Sequence, residues 1–297
     1  MANTPPAPTI RKAVIPAAGF GTRMLPAAKA IPKEMLPVLD LPTIQYVVQE
    51  AADAGITDVL VITSRDKKAI EDHFDRAPEL EARLAANGKE SLLATLRQLL
   101  ARVKIHSTRQ PEQRGLGDAV AQARCHVGDE PFACMLGDTI FTGQELPLTQ
   151  MARAYEKYRT PIIGLEEVPP EKVSRYGIVG GDQVEPGMLR IRTLVEKPTP
   201  QDAPSRFAIC ARYILTAEVF ECLDQTTPGK GGEIQLTDAL KLLCQRQPMH
   251  GVVLSAKRHD IGNPTDWLKT NLIFARRDEA MWEQIRPLLQ ELMHAHP

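Results

Sequence analysis

No apolar run in the chain approaches the ~20 residues that a membrane-spanning helix needs, and the opening stretch MANTPPAPTIRK has no apolar centre of the signal-peptide kind. The five cysteines, Cys125, Cys134, Cys210, Cys222 and Cys244, include no C-x-x-C pair. Their odd number, mostly within apolar segments, argues for reduced thiols rather than a disulfide framework or a metal knot. Basic residues number 36 and acidic residues 37, so the chain lacks the basic excess that nucleic-acid binding favours. There is no G-x-x-x-x-G-K-[ST] phosphate loop and no internal repeat, and biased composition is confined to the Pro-rich first residues. These absences lead to the expectation of a cytoplasmic protein with neither a membrane nor a nucleic acid as partner. Any cations that meet a phosphate must be gathered locally.

The 297 residues are 43% hydrophobic and 25% charged, enough for a substantial core. The most informative segment comes first. Ala13-Val14-Ile15-Pro16-Ala17-Ala18 flows into Gly19-Phe20-Gly21-Thr22-Arg23, followed by Lys29, Lys33 and prolines at 26, 32 and 37. This reads as a buried strand, a glycine turn and a cation-bearing segment in which the prolines leave no room for a regular helix. Glycines let backbone approach a ligand closely, and successive N–H groups in such a turn form an anion-binding concavity. The pattern is not a dinucleotide fingerprint, because Met24 takes the third small position and no helix can follow.

Strands are expected at 12–17, 58–63, 103–106 and 132–136, alternating with helices at 43–54, 66–74, 79–101 (broken near Gly88) and 116–126. That order implies an α/β protein with a doubly wound parallel sheet. The second half is more mixed, with strand-like pieces near 161–166, 176–180, 188–195, 206–214 and 251–256. Helices are expected there at 216–223, 233–246, 264–278 and 280–294. No sharp linker separates the halves.

Four places carry candidate chemistry. Asp138 follows the strand 132–136, where open α/β sheets bind ligands; it suits a hard cation such as Mg²⁺, with a turn or helix cap as the alternative. Asp260 lies in His259-Asp260-Ile261-Gly262-Asn263-Pro264, and from the residues alone a cap for the following helix is favoured over a metal role. Glu196-Lys197-Pro198 ends a strand, giving either a sugar- and phosphate-contacting pair or an exposed ion pair. Gln110 and Gly115-Leu116-Gly117 offer an amide for a pyrimidine edge and small residues before a helix.

Taken together, AAGFGTRMLPAAKAIPKEMLP (17–37), GLGDAV (115–120), LGDTIF (136–141), RYGIV (175–179), VEKP (195–198), GGEIQLTDAL (231–240) and HDIGNP (259–264) resemble the sugar-nucleotide pyrophosphorylases, in their bacterial uridylyltransferase branch. The resemblance implies a Rossmann-like nucleotide-diphospho-sugar transferase fold with a mixed, mostly parallel central sheet. It implies a single domain over 12–297 after a flexible tail at 1–11, with a nucleotide-binding half to about 145 and a sugar-phosphate half beyond. The implied reaction joins UTP and α-D-glucose 1-phosphate with Mg²⁺, giving UDP-glucose and pyrophosphate, in a homodimer or homotetramer.

By matched position, Ala17, Ala18, Gly19, Gln110 and Gly115 would line the uridine site. Gly21, Thr22, Arg23 and Lys33 would hold phosphates, and Asp138 and Asp260 would hold the metal. Gly177, Glu196 and Lys197 would bind the sugar phosphate. No Ser-His-Asp or Cys-His arrangement is expected, since the attacking phosphate oxygen is already anionic. Gly137 stands where the family usually has proline, and Asp118 where it usually has histidine, which adds negative charge near a polyanion site. Two other readings are a sibling enzyme using dTTP or another sugar 1-phosphate, and a non-catalytic nucleotide-sugar-binding regulator.

Overall fold

The computed structural model describes residues 10–294, so most of the expected tail at 1–11 lies outside the described residues. Nine strands form one sheet: β1 (Lys12–Pro16), β2 (Asp58–Thr63), β3 (Lys104–Arg109), β4 (Phe132–Met135), β5 (Ile162–Glu167), β6 (Gly177–Glu185), β7 (Met188–Glu196), β8 (Phe207–Leu215) and β9 (His250–Val253). Their order across the sheet is β3-β2-β1-β4-β8-β5-β9-β7-β6, with an extra pairing of β8 to β6. Strands β1 to β4 are mutually parallel. Strand β8 runs antiparallel to both β4 and β5, β9 is parallel to β5, and β7 is antiparallel to β9 and β6. Seven strands therefore share one direction, and the mixed, mostly parallel α/β sheet is as expected.

Strands β1, β2 and β4 are near-continuous apolar runs with both faces covered, whereas β3, KIHSTR at the edge of the sheet, is largely exposed. Alternate residues of β1 face opposite ways: Ala13 and Ile15 enter the core on one side, Val14 that on the other. Helices Thr43–Asp53 and Pro147–Tyr158 contribute to the first core, and Glu218–Gln225 and Leu236–Arg246 to the second.

Several sequence readings need correction. Helix Pro147–Tyr158 was not foreseen, although Leu148, Met151, Ala154 and Tyr155 make a buried stripe behind a proline at its first turn. The expected helix 116–126 is two pieces, Leu116–Ala121 and Arg124–Val127, because Gln122 and Ala123 bond three residues back and tighten into a turn. The helix expected from 233 begins at Leu236: the Ile234 N–H donates to the Arg114 carbonyl and its carbonyl accepts from Gly117 N–H, which holds 233–235 extended.

A buried ion pair ties the layers together. Arg212 on β8, fully buried, donates from Nε and Nη2 to the Glu50 carboxylate at 3.0 and 2.7 Å, and from Nη2 to the Thr139 carbonyl at 2.9 Å. Such a pair is a weak net stabiliser, yet removing one partner costs about 3–5 kcal/mol because the other charge is left buried. It fastens the segment bearing Asp138 to the sheet.

Candidate active site

The glycine turn after β1 is built as the sequence suggests. Ala17 and Ala18 are buried beneath an exposed Gly19–Arg23 loop, and three single 3₁₀ turns (Thr22–Met24, Ala27–Lys29, Lys33–Met35) take the place of a helix. Gly21 has φ +66°, the left-handed region where a side chain is strained, and a Cβ there would also press on the Lys33 stem at 3.4 Å.

Asp138 stands just past β4. Its Oδ2 accepts from Lys33 Nζ at 2.5 Å, and its carbonyl accepts from Ile261 N–H at 3.0 Å. Thr139–Thr142 pairs antiparallel with Lys257–Asp260, with Asp260 opposite Thr139. This short ribbon brings Asp138 and Asp260 to one edge, which neither local segment reveals. Asp260 does not cap the following helix. Its Oδ1 accepts from Gly262 N–H at 2.7 Å, while Asn263 caps helix Pro264–Ala275 by accepting from Asp266 N–H at 3.0 Å. Burial alone would raise the Asp138 carboxyl's pKa, but Lys33 and Arg23 outweigh it and hold the group below its usual range. Lys33 is likewise pushed down by burial and carried above its ordinary value by Asp138 and Glu34.

On the opposite wall β6 and β7 pair so that Gly177 faces Glu196. A Cβ on Gly177 would sit 3.0 Å from Thr237 Oγ1 and 3.2 Å from Glu196 Oε2, so the glycine leaves room for that pair. Thr237 Oγ1 donates to Glu196 Oε2 at 2.6 Å, and Lys197 Nζ lies 3.2 Å from Glu196 Oε1. Strand β7 ends at Glu196, and Lys197 takes φ +45° with its N–H bonded to the Tyr176 carbonyl.

A cavity of about 690 Å³ lies between the two walls. Arg23, Asp138, Asp260, Gly177, Glu196 and Lys197 all line it. Ala17, Ala18, Gly19, Gly21, Thr22, Lys33, Gln110 and Gly115 do not line it, although Lys33 reaches it through Asp138 and Gly115 precedes the lining residue Leu116. Gln110, buried, donates its amide to the Gly115 carbonyl at 3.1 Å and to Asp118 Oδ2 at 2.7 Å. Asp118 is also paired with Arg114 at 2.8 Å, so its added negative charge is neutralised in place. Gly115 has φ +106°, and a Cβ would meet the Ile234 carbonyl at 2.7 Å.

Sequence reasoning missed Thr237, which holds Glu196, and Arg258. The Arg258 guanidinium stacks 4.3 Å over the Tyr176 ring, pairs with Glu166 and lines the cavity. Arg258 sits two residues before Asp260 in a segment already singled out, and that adjacency was the available signal. His259 is a packed residue: Thr142 Oγ1 lies 2.8 Å from its Nε2, and burial lowers its pKa to about 4. All five cysteines are free. Among the described residues no cluster of three or more His, Cys, Asp or Glu side chains could hold a metal, and no helix is long and apolar enough to cross a membrane.

The chain matches the family model described as nucleotidyl transferase over residues 12–277. It is 45% identical over 285 residues to the UTP–glucose-1-phosphate uridylyltransferase of Bacillus subtilis strain 168, covering 96% of this chain and 98% of that protein. It is 46% identical over 272 residues to the enzyme of the same name from Pseudomonas aeruginosa, covering 89% and 96%. Among solved structures, it resembles UTP-bound UGPase from Acinetobacter baumannii with a TM-score of 0.88 and 38% identity, over 95% of this chain and 99% of that one. It also resembles a UDP-glucose pyrophosphorylase complexed with UDP-glucose, with a TM-score of 0.83 and 39% identity over 90% and 99%. Matched over residues 12–277 and 45% identical over nearly its whole length to a named relative, the chain belongs to the nucleotidyl transferase family.

Proposed function

We propose that the protein is a UTP–glucose-1-phosphate uridylyltransferase, forming UDP-glucose and pyrophosphate from UTP and α-D-glucose 1-phosphate. The observation that carries this reading is one cavity with Arg23, Asp138 and Asp260 on one wall and Gly177, Glu196 and Lys197 on the other. Its two walls match the needs of two anionic substrates, and the relatives named above support the choice of substrates. The strands up to β4 and the glycine turn form the nucleotide half, and the later strands form the sugar-phosphate half of a single domain.

A phosphate oxygen of glucose 1-phosphate attacks the α-phosphorus of UTP. A new P–O bond forms as the bond to the β-phosphate oxygen breaks, and pyrophosphate leaves with the electron pair. No proton has to be removed from the nucleophile, so no base is needed. The chain's task is to hold two polyanions together and offset charge on the leaving group. Ala17, Ala18, Gly19, Gln110 and Gly115 flank the uridine, with Gln110 Oε1 presented to the base while its amide hydrogens are held by Gly115 and Asp118. Gly21 and Thr22 approach the triphosphate through backbone, and Arg23 and Lys33 face the departing pyrophosphate. Lys197 meets the sugar phosphate. Glu196, aligned by Thr237, accepts from glucose hydroxyls.

Two carboxylates at one edge, with no cluster of three acidic, thiol or imidazole ligands among the described residues, suit Mg²⁺, which keeps waters and takes substrate phosphates as its remaining ligands. Asp138 and Asp260 would hold it, and it would supply positive charge to the triphosphate. The cytoplasm is the proposed location and a homodimer or homotetramer the proposed assembly. Helix Glu279–His294 has no buried residue and exposes Leu288, Leu292 and Met293, a face that a second copy would cover.

The test is pyrophosphate release by purified protein with Mg²⁺, glucose 1-phosphate and each nucleoside triphosphate in turn. Strong preference for UTP is expected. Preference for dTTP would move the protein to the thymidylyl enzymes, and silence with every nucleotide despite UDP-glucose binding would make it a regulator.

A further inference from the structure

Behind the cavity, and outside its lining, lies a second buried ion pair. Lys67 Nζ donates to Glu34 Oε2 at 2.8 Å, with Lys67 6% and Glu34 1% exposed. The two residues come from the turns that follow β2 and β1: the Lys67 N–H bonds the Ser64 carbonyl, and Glu34 sits in the 3₁₀ turn Lys33–Met35. Glu34 is the chain neighbour of Lys33, and its Cγ lies 3.3 Å from the point where a Cβ on Gly137 would be. Its stem thus packs beside Gly137, the residue before Asp138.

The charges alternate along this line as Lys67, Glu34, Lys33 and Asp138, and each feels its neighbours. Glu34 is bonded to Lys67 at 2.8 Å and lies next in the chain to Lys33, whose charge it also feels, whereas Lys33 is bonded to Asp138 at 2.5 Å and feels Glu34 beside it. Which anion Lys33 serves depends on whether Glu34 is already satisfied. A buried ion pair gains little net stability over apolar packing, so its presence at this point calls for another role.

We propose that Lys67 is a positioning residue, which occupies the Glu34 carboxylate so that Lys33 stays directed at Asp138 and the reacting phosphates. Without the Lys67 charge, Glu34 is a buried unpaired carboxylate, and Lys33, its chain neighbour, turns from Asp138 to it. The proposal rests on the uridylyltransferase reading for its kinetic consequence but not for its structural one.

The Lys67→Met variant is expected to lower kcat roughly 10- to 100-fold, the effect of misplacing a reacting group by about 1 Å. KM for glucose 1-phosphate, which binds the far wall, should not change. The double variant Glu34→Gln with Lys67→Met removes the competing anion and is expected to return kcat to within about threefold of wild type, a non-additivity that mere loss of packing would not produce. Where Lys67→Met fails to fold, Lys67→Gln, polar but uncharged and one atom shorter than lysine, should show the same fall in kcat. A crystal structure of the single variant should show Lys33 Nζ bonded to Glu34 instead of Asp138. Wild-type kcat in the single variant, a double variant no faster than the single, or Lys33 still on Asp138 would each overturn the proposal. A wild-type protein that released no pyrophosphate would sink the uridylyltransferase reading and leave the crystallographic comparison to decide the role of Lys67.

Discussion

Gly262 offers a sharp test of how closely the two sides of the nucleotide wall are fitted. A Cβ placed there would stand 2.6 Å from Arg23 Nη2 and 2.8 Å from Asp260 Oδ1. Ordinary contact begins at 3.4 Å, so Gly262→Ala forces the guanidinium back by about 0.8 Å or turns the Asp260 carboxylate away. Both obstructing atoms are ends of side chains rather than backbone, and Gly262 does not occupy the left-handed region, so the fold accepts the methyl group with little loss of stability. The site does not, because a positioning error near 1 Å costs up to about 10²-fold in rate. The variant should therefore melt within about 2 °C of wild type while pyrophosphate release at saturating substrates falls roughly 10- to 100-fold. An alanine variant with wild-type kcat would show that neither Arg23 nor Asp260 needs its present place, and the roles given to both would fail together.

Asp138→Asn should remain folded and lose about 10²-fold or more in turnover, measured beside its melting curve; a fully active variant would refute the metal assignment. Thr237→Val removes the hydroxyl that donates to Glu196 at 2.6 Å, and KM for glucose 1-phosphate should rise about 5- to 10-fold, the worth of one such bond, with KM for UTP unchanged. His259, whose pKa falls from 6.5 to about 4 on folding, binds its proton in the unfolded chain first. Its contribution to stability is complete above pH 6.5 and declines as pH falls toward 4. Urea midpoints across that window should fall less steeply for His259→Gln than for wild type, and parallel curves would contradict the shift.

The residues that sequence reading placed best are those whose chemistry is local. The apolar runs of β1, β2 and β4 announced a parallel sheet because both their faces are covered, and Gly21 and Gly115 announced turns that the structure holds at positive φ. From its neighbours alone Asp260 reads as a helix cap, and only the resemblance points it to a metal, because its setting comes from pairing with Thr139, a contact between distant parts of the chain. Gln110 was read as offering donor and acceptor to a pyrimidine edge, yet Gly115 and Asp118 take its amide hydrogens, and burial of an acid beside an amide leaves no periodic trace. Lys67 belongs to the charge run Arg65-Asp66-Lys67-Lys68, whose other three members are exposed. Only packing distinguishes it from them.

The place of β8 has a consequence for how the chain acquires its shape. This strand, residues 207–215, inserts between β4 and β5 and pairs with Phe132–Met135 on one side. During synthesis from the N-terminus, β1 to β4 can assemble among themselves, but the outer edge of β4 has no partner until residue 215 has emerged. For that interval a fully apolar strand presents open backbone donors and acceptors, the condition under which sheets join wrongly to other chains. A fragment ending before Phe207 would carry Arg23, Lys33 and Asp138 but keep that edge exposed permanently. The first four strands thus bring in Arg23, Lys33 and Asp138 yet depend on a strand encoded about 70 residues later to close their edge.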